Sequence, residues 1–190
     1  METSVLVATH LSSLYTSAQA TIVTLPTARR SAPLASRPAD SDPPAEHASH
    51  SSVFHSETTG TIVLRVIDGG LAIELISLTS DIPPVRFVFP DTILPAPGIF
   101  LSASQELHVL AVTTSGSLYR LVLPAPGGVK WHPEQLRGNW CREYSIKHGS
   151  GILEGLAAVQ GTHCVVVGQP NGVMLRLETE VLGDDANDGK

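Results

Sequence analysis

The chain has 190 residues, a net charge of −6 and only 5% aromatic residues. This balance argues against nucleic acid as a direct partner, because such a partner usually demands a basic face and aromatic side chains for base stacking. No stretch approaches the ~18 uninterrupted apolar residues of a membrane-spanning helix, so no transmembrane segment is expected. The two cysteines, Cys141 and Cys164, lack metal or redox spacing, which favours an intracellular protein with free thiols.

The first part of the chain divides into two segments. Residues 1–25 form an N-terminal strand-like segment with two short apolar runs, Val5–Ala8 and Ile22–Leu25. Residues 26–59 are rich in Pro, Ser and Ala. Such a composition cannot bury enough apolar surface to offset the entropy of ordering the chain. We therefore expect residues 26–59 to be a disordered linker.

Residues 60–182 contain three apolar runs that each reverse at a turn closed by glycine. Glycine supplies the positive φ that a tight reversal needs, so each run is predicted to be a β-hairpin. The turns are predicted at Asp68–Gly70, Thr113–Gly116 and Gln169–Gly172. Their glycines, Gly70, Gly116 and Gly172, recur about every 50 residues, close to the roughly 40–50 of one propeller blade.

Further strands are predicted at Val85–Phe89, Gly98–Ala103 and Ile152–Val159, and a short helix is predicted to begin at Pro133. The hairpin strands are apolar on both faces, which is typical of sheets stacked on sheets. The sequence therefore predicts an all-β fold over 60–182, an incomplete β-propeller of about two to three blades, and a polar tail over 183–190. A β-sandwich is the alternative fold.

One set of charged residues occupies equivalent positions in the three hairpins. Glu74, Arg120 and Arg176 each follow the turn glycine by the same interval. Each could simply reach past apolar neighbours to solvent. Alternatively, they form an inter-blade charge column in which Glu74 pairs with an arginine of the next blade. A partly exposed pair of this kind contributes at most ~1 kcal/mol, so its role would be to fix the register between blades.

The sequence shows no pattern that predicts catalysis, a cofactor or a metal. His47, His50 and His55 lie close together, but in the predicted linker and without a cysteine partner. An enzyme on a sandwich or propeller would need titratable residues that converge in a cleft, and the sequence indicates none. We expect a non-enzymatic protein with no cofactor.

Four groups of residues carry a family resemblance. They are Arg65-Val66 with Gly69-Gly70-Leu71 and Glu74-Leu75; Val85-Arg86-Phe87 with Ile93-Leu94-Pro95 and Gly98-Ile99; Leu107 to Leu121 with Leu123-Pro124; and Gly172-Val173 with Leu175-Arg176-Leu177. The block from Thr61 to Leu182 that contains them resembles the start of the large scaffold nucleoporins of the Y-shaped nuclear pore subcomplex, the 120/160-kilodalton family.

The resemblance implies an N-terminal β-propeller fused to a long α-helical solenoid that builds the outer rings of the nuclear pore complex. It implies location in the nucleus at the nuclear envelope, other nucleoporins of the Y-shaped subcomplex as partners, and a structural role in nucleocytoplasmic transport and mRNA export. Three blades cannot close a propeller, which needs at least ~4, so we expect the open edge to be completed by something else. The alternative function is a cytosolic β-propeller adaptor unrelated to the pore.

Overall fold

The computed structural model describes residues 20–26, 50–79, 82–102, 104–124, 131, 136, 138–146, 155–159, 164–168 and 174–178. Within these ranges the regular structure is β-strand, apart from one short 3-10 turn at Asp68–Gly70. The prediction of an all-β fold is therefore confirmed. The strands form three sheets, and the described strands do not close into a complete ring of blades.

Sheet 1 has five strands. Four of them follow one another as an antiparallel meander: β2 (Ser51–Ser56), β3 (Gly60–Ile67), β4 (Ala72–Ser77) and β5 (Val85–Val88). The strand β1 (Thr21–Thr24) lies parallel to β5 at the outer edge, with Thr21 opposite Val85. Its threonine, isoleucine and valine residues are β-branched and favour the extended backbone of a strand.

Sheet 2 repeats the meander of sheet 1. Its strands are β6 (Gly98–Leu101), β7 (Glu106–Val112), β8 (Ser117–Pro124) and β9 (Cys141–Ser145). Sheet 3 is a three-stranded antiparallel meander of β10 (Gly155–Val159), β11 (Cys164–Gly168) and β12 (Met174–Glu178). Strand β10 lies close to β6, so that the first strands of sheets 2 and 3 are neighbours.

The three predicted hairpins are present as antiparallel pairs: β3 with β4, β7 with β8, and β11 with β12. Strands are also present within the ranges predicted at Val85–Phe89, Gly98–Ala103 and Ile152–Val159, as β5, β6 and β10, while Ala103 and residues 152–154 lie outside the described residues. The run Ile22–Leu25 corresponds to β1. The Gln169–Gly172 turn, the run Val5–Ala8, the start of the predicted helix at Pro133 and the tail 183–190 lie outside the described residues.

The prediction of a disordered linker over 26–59 is wrong for Ser51–Ser56. Ser51–Ser56 form β2, which pairs with β3 so that Val53 lies opposite Val63. This strand is rich in serine, and every second side chain is exposed to solvent. It is therefore stabilised by its backbone hydrogen bonds to β3 rather than by burial of its own side chains.

The main core lies between sheets 1 and 2. One face of each sheet contributes apolar side chains to it, among them Leu64, Ile73 and Val85 from sheet 1 and Val109 and Leu121 from sheet 2. Two aromatic pairs join the layers: Phe87 with Trp140, with ring centroids 5.7 Å apart, and Phe89 with Tyr119 at 5.4 Å in an edge-to-face arrangement. Such pairs contribute roughly 0.5–1.5 kcal/mol each beyond the area that they bury.

A second apolar cluster covers the opposite face of sheet 2. Its buried members are Leu94, Leu110, Val112 and Leu118, with Phe100, Tyr144 and Ile146 packed against them. Sheet 2 is therefore apolar on both faces, as its sequence predicts, and has the character of a middle layer in a stack of sheets.

Candidate functional site

The first hairpin turn has a backbone conformation that demands glycine. Asp68, Gly69 and Gly70 all have positive φ, at 54°, 64° and 89°. A Cβ atom on Gly70 would lie only 2.9 Å from Cγ2 of Thr92. The backbone therefore turns in the left-handed region and lies close to the segment that follows β5.

The second hairpin turn is closed by backbone and side-chain hydrogen bonds. Gly116 has φ of 85°, and its N–H donates to the carbonyl oxygen of Thr113 at 3.0 Å. The N–H of Ser117 donates to Oγ1 of the buried Thr113, also at 3.0 Å. The turns predicted at Gly70 and Gly116 are therefore both confirmed.

A short segment, Asp91–Leu94, connects these two turns, and we call it the clasp. The N–H of Ile93 donates to the carbonyl oxygen of Gly70 at 2.9 Å, in sheet 1. In sheet 2, the N–H of Thr114 donates to the carbonyl oxygen of Thr92 at 2.8 Å. Because one segment binds both turns, the equivalent ends of sheets 1 and 2 are held in register.

The carboxylate of Asp91 completes the clasp. Its Oδ1 accepts from the N–H of Thr92 at 2.7 Å, and its Oδ2 accepts from the N–H of Ser115 at 3.0 Å and from Oγ1 of Thr114 at 3.2 Å. Sequence reasoning missed Asp91. Its only local signal is its position directly after Pro90 and between two strands, which is typical of many turns.

The other end of the sheets has a matching contact. Oγ1 of Thr58, in the turn between β2 and β3, donates to Oε1 of Gln105, in the turn between β6 and β7, at 2.8 Å. Equivalent turns of the two sheets are thus joined at both ends, through the clasp at one end and by a direct side-chain contact at the other. This arrangement is what repeated units stacked in register require.

Glu74 lies in a row of charges within sheet 1. It is directly opposite Arg65 on β3 and Arg86 on β5. Arg65 donates from Nε to Oε2 of Glu74 at 3.0 Å and also from Nη2, and Nη2 of Arg86 donates to Oε1 at 3.3 Å. The Glu74 side chain is only 3% exposed, so its charge is compensated by two arginines away from bulk water.

This row corrects the predicted inter-blade charge column. Glu74 pairs inside its own sheet and not with Arg120, because cross-strand neighbours lie closer than any side chain of the next layer. Arg120 instead donates from Nε to Nδ1 of His108 at 3.2 Å. Arg176 lies opposite Val166 in sheet 3, and its side chain is outside the described part of the molecule.

Sheet 2 carries a different row at the corresponding position. Arg120 on β8 lies directly opposite Arg142 on β9, so two guanidinium groups share one face of the sheet. Next to them, His108 is buried and stacks on Phe100 with ring centroids 4.8 Å apart. In the described residues neither Arg120 nor Arg142 forms a salt bridge with a carboxylate.

Cys141 lies on β9, facing the core between sheets 1 and 2. Burial and, to a smaller extent, the nearby Glu143 carboxylate together raise the pKa of its thiol from 9.0 to about 12. A thiol with this pKa is protonated at neutral pH and is a poor nucleophile. Cys141 therefore has the chemistry of a core side chain.

Other kinds of site were sought in the same residues. The described ranges hold no group of three or more His, Cys, Asp or Glu residues that could bind a metal ion. His55 has Nδ1 within 2.9 Å of Oγ1 of Thr61, and His47 is outside the described ranges. Among the described residues, no helix has the length and apolar character needed to span a bilayer.

These features define a protein of repeated antiparallel sheets, joined face to face and turn to turn. No protein-family model matches the chain. No curated protein matches it either.

Proposed function

We propose that the chain is a structural scaffold element that acts through protein–protein contacts and not through catalysis. The observation that carries this proposal is the repetition of a four-stranded antiparallel meander in sheets 1 and 2, with equivalent turns held together by the clasp. A repeated sheet depends on its neighbours to cover its apolar faces. Such architectures usually present extended surfaces to partners.

We further propose that these sheets are blades of a β-propeller, and that the chain is part of an outer-ring nucleoporin. The neighbouring first strands β6 and β10 support a series of blades, since the first strands of adjacent blades lie next to one another around a propeller axis. The family resemblance supports the pore assignment. Most of its residues lie on the hairpins β3–β4 and β7–β8, on β5, β6 and β12, and on the clasp.

The test is where the chain localises in cells and which proteins co-purify with it. A fluorescently tagged chain, expressed at low level, is expected at the nuclear rim and is expected to co-purify with other nucleoporins of the Y-shaped subcomplex. The matched control is Leu64→Asp, which places a charge in the fully buried layer between sheets 1 and 2 and should abolish both results.

A different outcome would favour the alternative. A chain that is diffuse in the cytosol and co-purifies with non-pore proteins, in a manner that Leu64→Asp abolishes, would support a cytosolic propeller adaptor. Retention at the rim by the Leu64→Asp variant would contradict the proposal that the folded sheets make the contacts.

A further inference from the structure

Strand β1 is attached to sheet 1 differently from the other strands of that sheet. The connections from β2 to β3, from β3 to β4 and from β4 to β5 are short, at residues 57–59, 68–71 and 78–84. The connection from β1 to β2, by contrast, comprises residues 25–50. Strand β1 is therefore joined to its sheet by its contacts with β5 and by a long covalent connection, and not by a tight turn.

This connection is much longer than the sheet requires. The strand order places β1 and β2 at opposite edges, four steps of roughly 4.8 Å apart, which makes about 19 Å. Thr24 and Ser51 both lie at the end of the sheet that carries the turn at Asp68–Gly70, so the connection does not have to cross the length of a strand. About six extended residues, at roughly 3.3–3.6 Å each, would span this distance. The contour length of the connection is therefore sufficient for β1 to reach a second molecule.

The contacts of β1 with β5 come from a short stretch of chain. The N–H of Thr21 donates to the carbonyl oxygen of Pro84 at 2.8 Å, and the N–H of Leu25 donates to the carbonyl oxygen of Val88 at 2.9 Å. Between these two bonds β1 pairs with β5 over four residues. The side chains of Val23 and Leu25 are both buried in the core between sheets 1 and 2. These contacts require the sequence of β1 but do not require that β1 and β5 belong to the same chain.

The edge of β5 is the site at which β1 is recognised. Among the described strands, β5 is the only neighbour of β1. The exposed backbone of a sheet edge binds an extended segment by main-chain hydrogen bonds, and pockets for alternate side chains supply the specificity. Here the segment must be parallel to β5 and must carry apolar side chains at two alternate positions, as Val23 and Leu25 do. A second copy of this chain carries an identical segment.

We propose that β1 is an exchangeable strand, which leaves β5 of its own chain and pairs with β5 of a second copy, while β1 of the second copy does the same in return. The exchange forms the same hydrogen bonds and buries the same side chains, so it is a low-cost route to a dimer. A strand on a covalent connection competes at an effective concentration on the order of mM, so the exchanged dimer increases with protein concentration. The inference goes beyond the proposed scaffold function and does not depend on membership of the nuclear pore.

The first test traps the exchanged strand with a disulfide between two full chains that carry different tags. One chain has Thr24→Cys and the other has Val88→Cys, since these residues are opposite each other and neighbouring strands lie about 4.8 Å apart, a distance that a disulfide can bridge. The chains are refolded together from urea at increasing concentration and oxidised, and the heterodimer is measured on a non-reducing gel. The matched control has Glu57→Cys, in an exposed turn, instead of Thr24→Cys, and all chains retain Cys141 and Cys164. We expect about tenfold more heterodimer than in the control, because only exchange brings the two sulfur atoms together.

The second test uses the chain without substitutions, so it does not depend on the folding of a variant. Sedimentation velocity measures the dimer fraction at high protein concentration, with and without an excess of a synthetic peptide of residues 20–26. We expect the peptide to lower the dimer fraction about fivefold, because it occupies the edge of β5. The same peptide with Val23→Asp should leave the dimer fraction within about twofold, because a carboxylate is costly to bury in the core.

Several outcomes would overturn the inference. In the first test these are a heterodimer no more abundant than in the Glu57→Cys control, or a heterodimer fraction that does not rise with protein concentration. In the second test they are a chain that stays monomeric at high concentration, or a dimer that neither peptide affects. Equal suppression by the two peptides would also overturn it, since the edge of β5 would then accept any extended segment and would not be specific for β1 of a second copy.

Discussion

Sheets 1 and 2 share their strand order and the position of their turns but differ in their polar rows. In sheet 1 a buried carboxylate, Glu74, is surrounded by two arginines. In sheet 2 the corresponding position is Arg120, opposite a second arginine. The apolar layer and the turn chemistry thus define the repeat, whereas the polar row varies from one sheet to the next. A residue at an equivalent position in two repeats therefore need not have an equivalent role.

The largest effect is expected from Glu74→Gln, which preserves shape and removes the central charge of the row in sheet 1. Arg65 would then lose its carboxylate partner and Arg86 would keep only Asp68, whose Oδ2 is 3.7 Å from its Nη1, and we expect a loss of about 3 kcal/mol in the free energy of unfolding, measured with urea. The control is Glu57→Gln in an exposed turn, which should change stability by less than about 0.5 kcal/mol. Equal effects of the two substitutions would show that Glu74 is not the centre of the row.

A smaller effect is expected from Gly70→Ala, with Gly69→Ala as its matched control. Both residues have positive φ, so each substitution strains the backbone, but only at Gly70 would the new Cβ meet Thr92 in the clasp. We expect losses of about 2 kcal/mol for Gly70→Ala and about 1 kcal/mol for Gly69→Ala. Hydrogen exchange at the N–H of Thr114 should accelerate only in the Gly70 variant. Equal exchange in both would mean that the clasp does not couple the sheets.

Replacing an arginine by glutamine is expected to change the free energy of unfolding in opposite directions in the charged rows of sheet 1 and sheet 2. Arg142→Gln should raise the free energy of unfolding by about 0.5 kcal/mol, since it removes a like-charge pair. Arg86→Gln should lower it, since it removes a partner of Glu74. Urea unfolding of both variants checks the sign. Destabilisation by Arg142→Gln would indicate that Arg142 makes a favourable contact within the fold.

The last prediction concerns how stability depends on pH through Cys141, in the core between the sheets. We expect no effect at neutral pH. Its pKa is raised to about 12 in the folded chain, compared with 9.0 for an ordinary thiol. The unfolded chain therefore loses this proton first, so the stability that the neutral thiol contributes is complete below pH 9 and is lost as pH rises from 9 towards 12. Cys141→Ser should remove this part of the pH dependence. An unchanged alkaline profile would contradict the raised pKa.

The sequence predicts the hairpins well and the polar contacts poorly. Runs such as Leu107–Val112, with a glycine soon after, contain both the apolar pattern and the turn residue that hairpins need. The strand β2 was missed because Ser51–Ser56 is polar and becomes ordered by pairing with β3. A strand of this kind depends on a neighbour that local composition does not reveal.

The charged rows could be predicted only in part. Glu74 is visible as a charge in an apolar run, but its partners Arg65 and Arg86 are identified only by the register of three strands. A shift of one residue in that register would place them on opposite faces. The clasp has the same limitation, because Asp91 acts on a turn of the following hairpin.

The parallel pairing of β1 with β5 has a consequence for how the chain folds. Thr21 pairs with Val85, across the whole of the first meander, whereas the other strands of sheet 1 pair with strands that immediately precede or follow them. Closing so long a loop costs more entropy than closing a hairpin, so this contact of high sequence separation should form late. During synthesis β1 leaves the ribosome first, yet it has no partner until β5 has emerged. We therefore expect the strand of sheet 1 that is synthesised first to be the last to join the sheet.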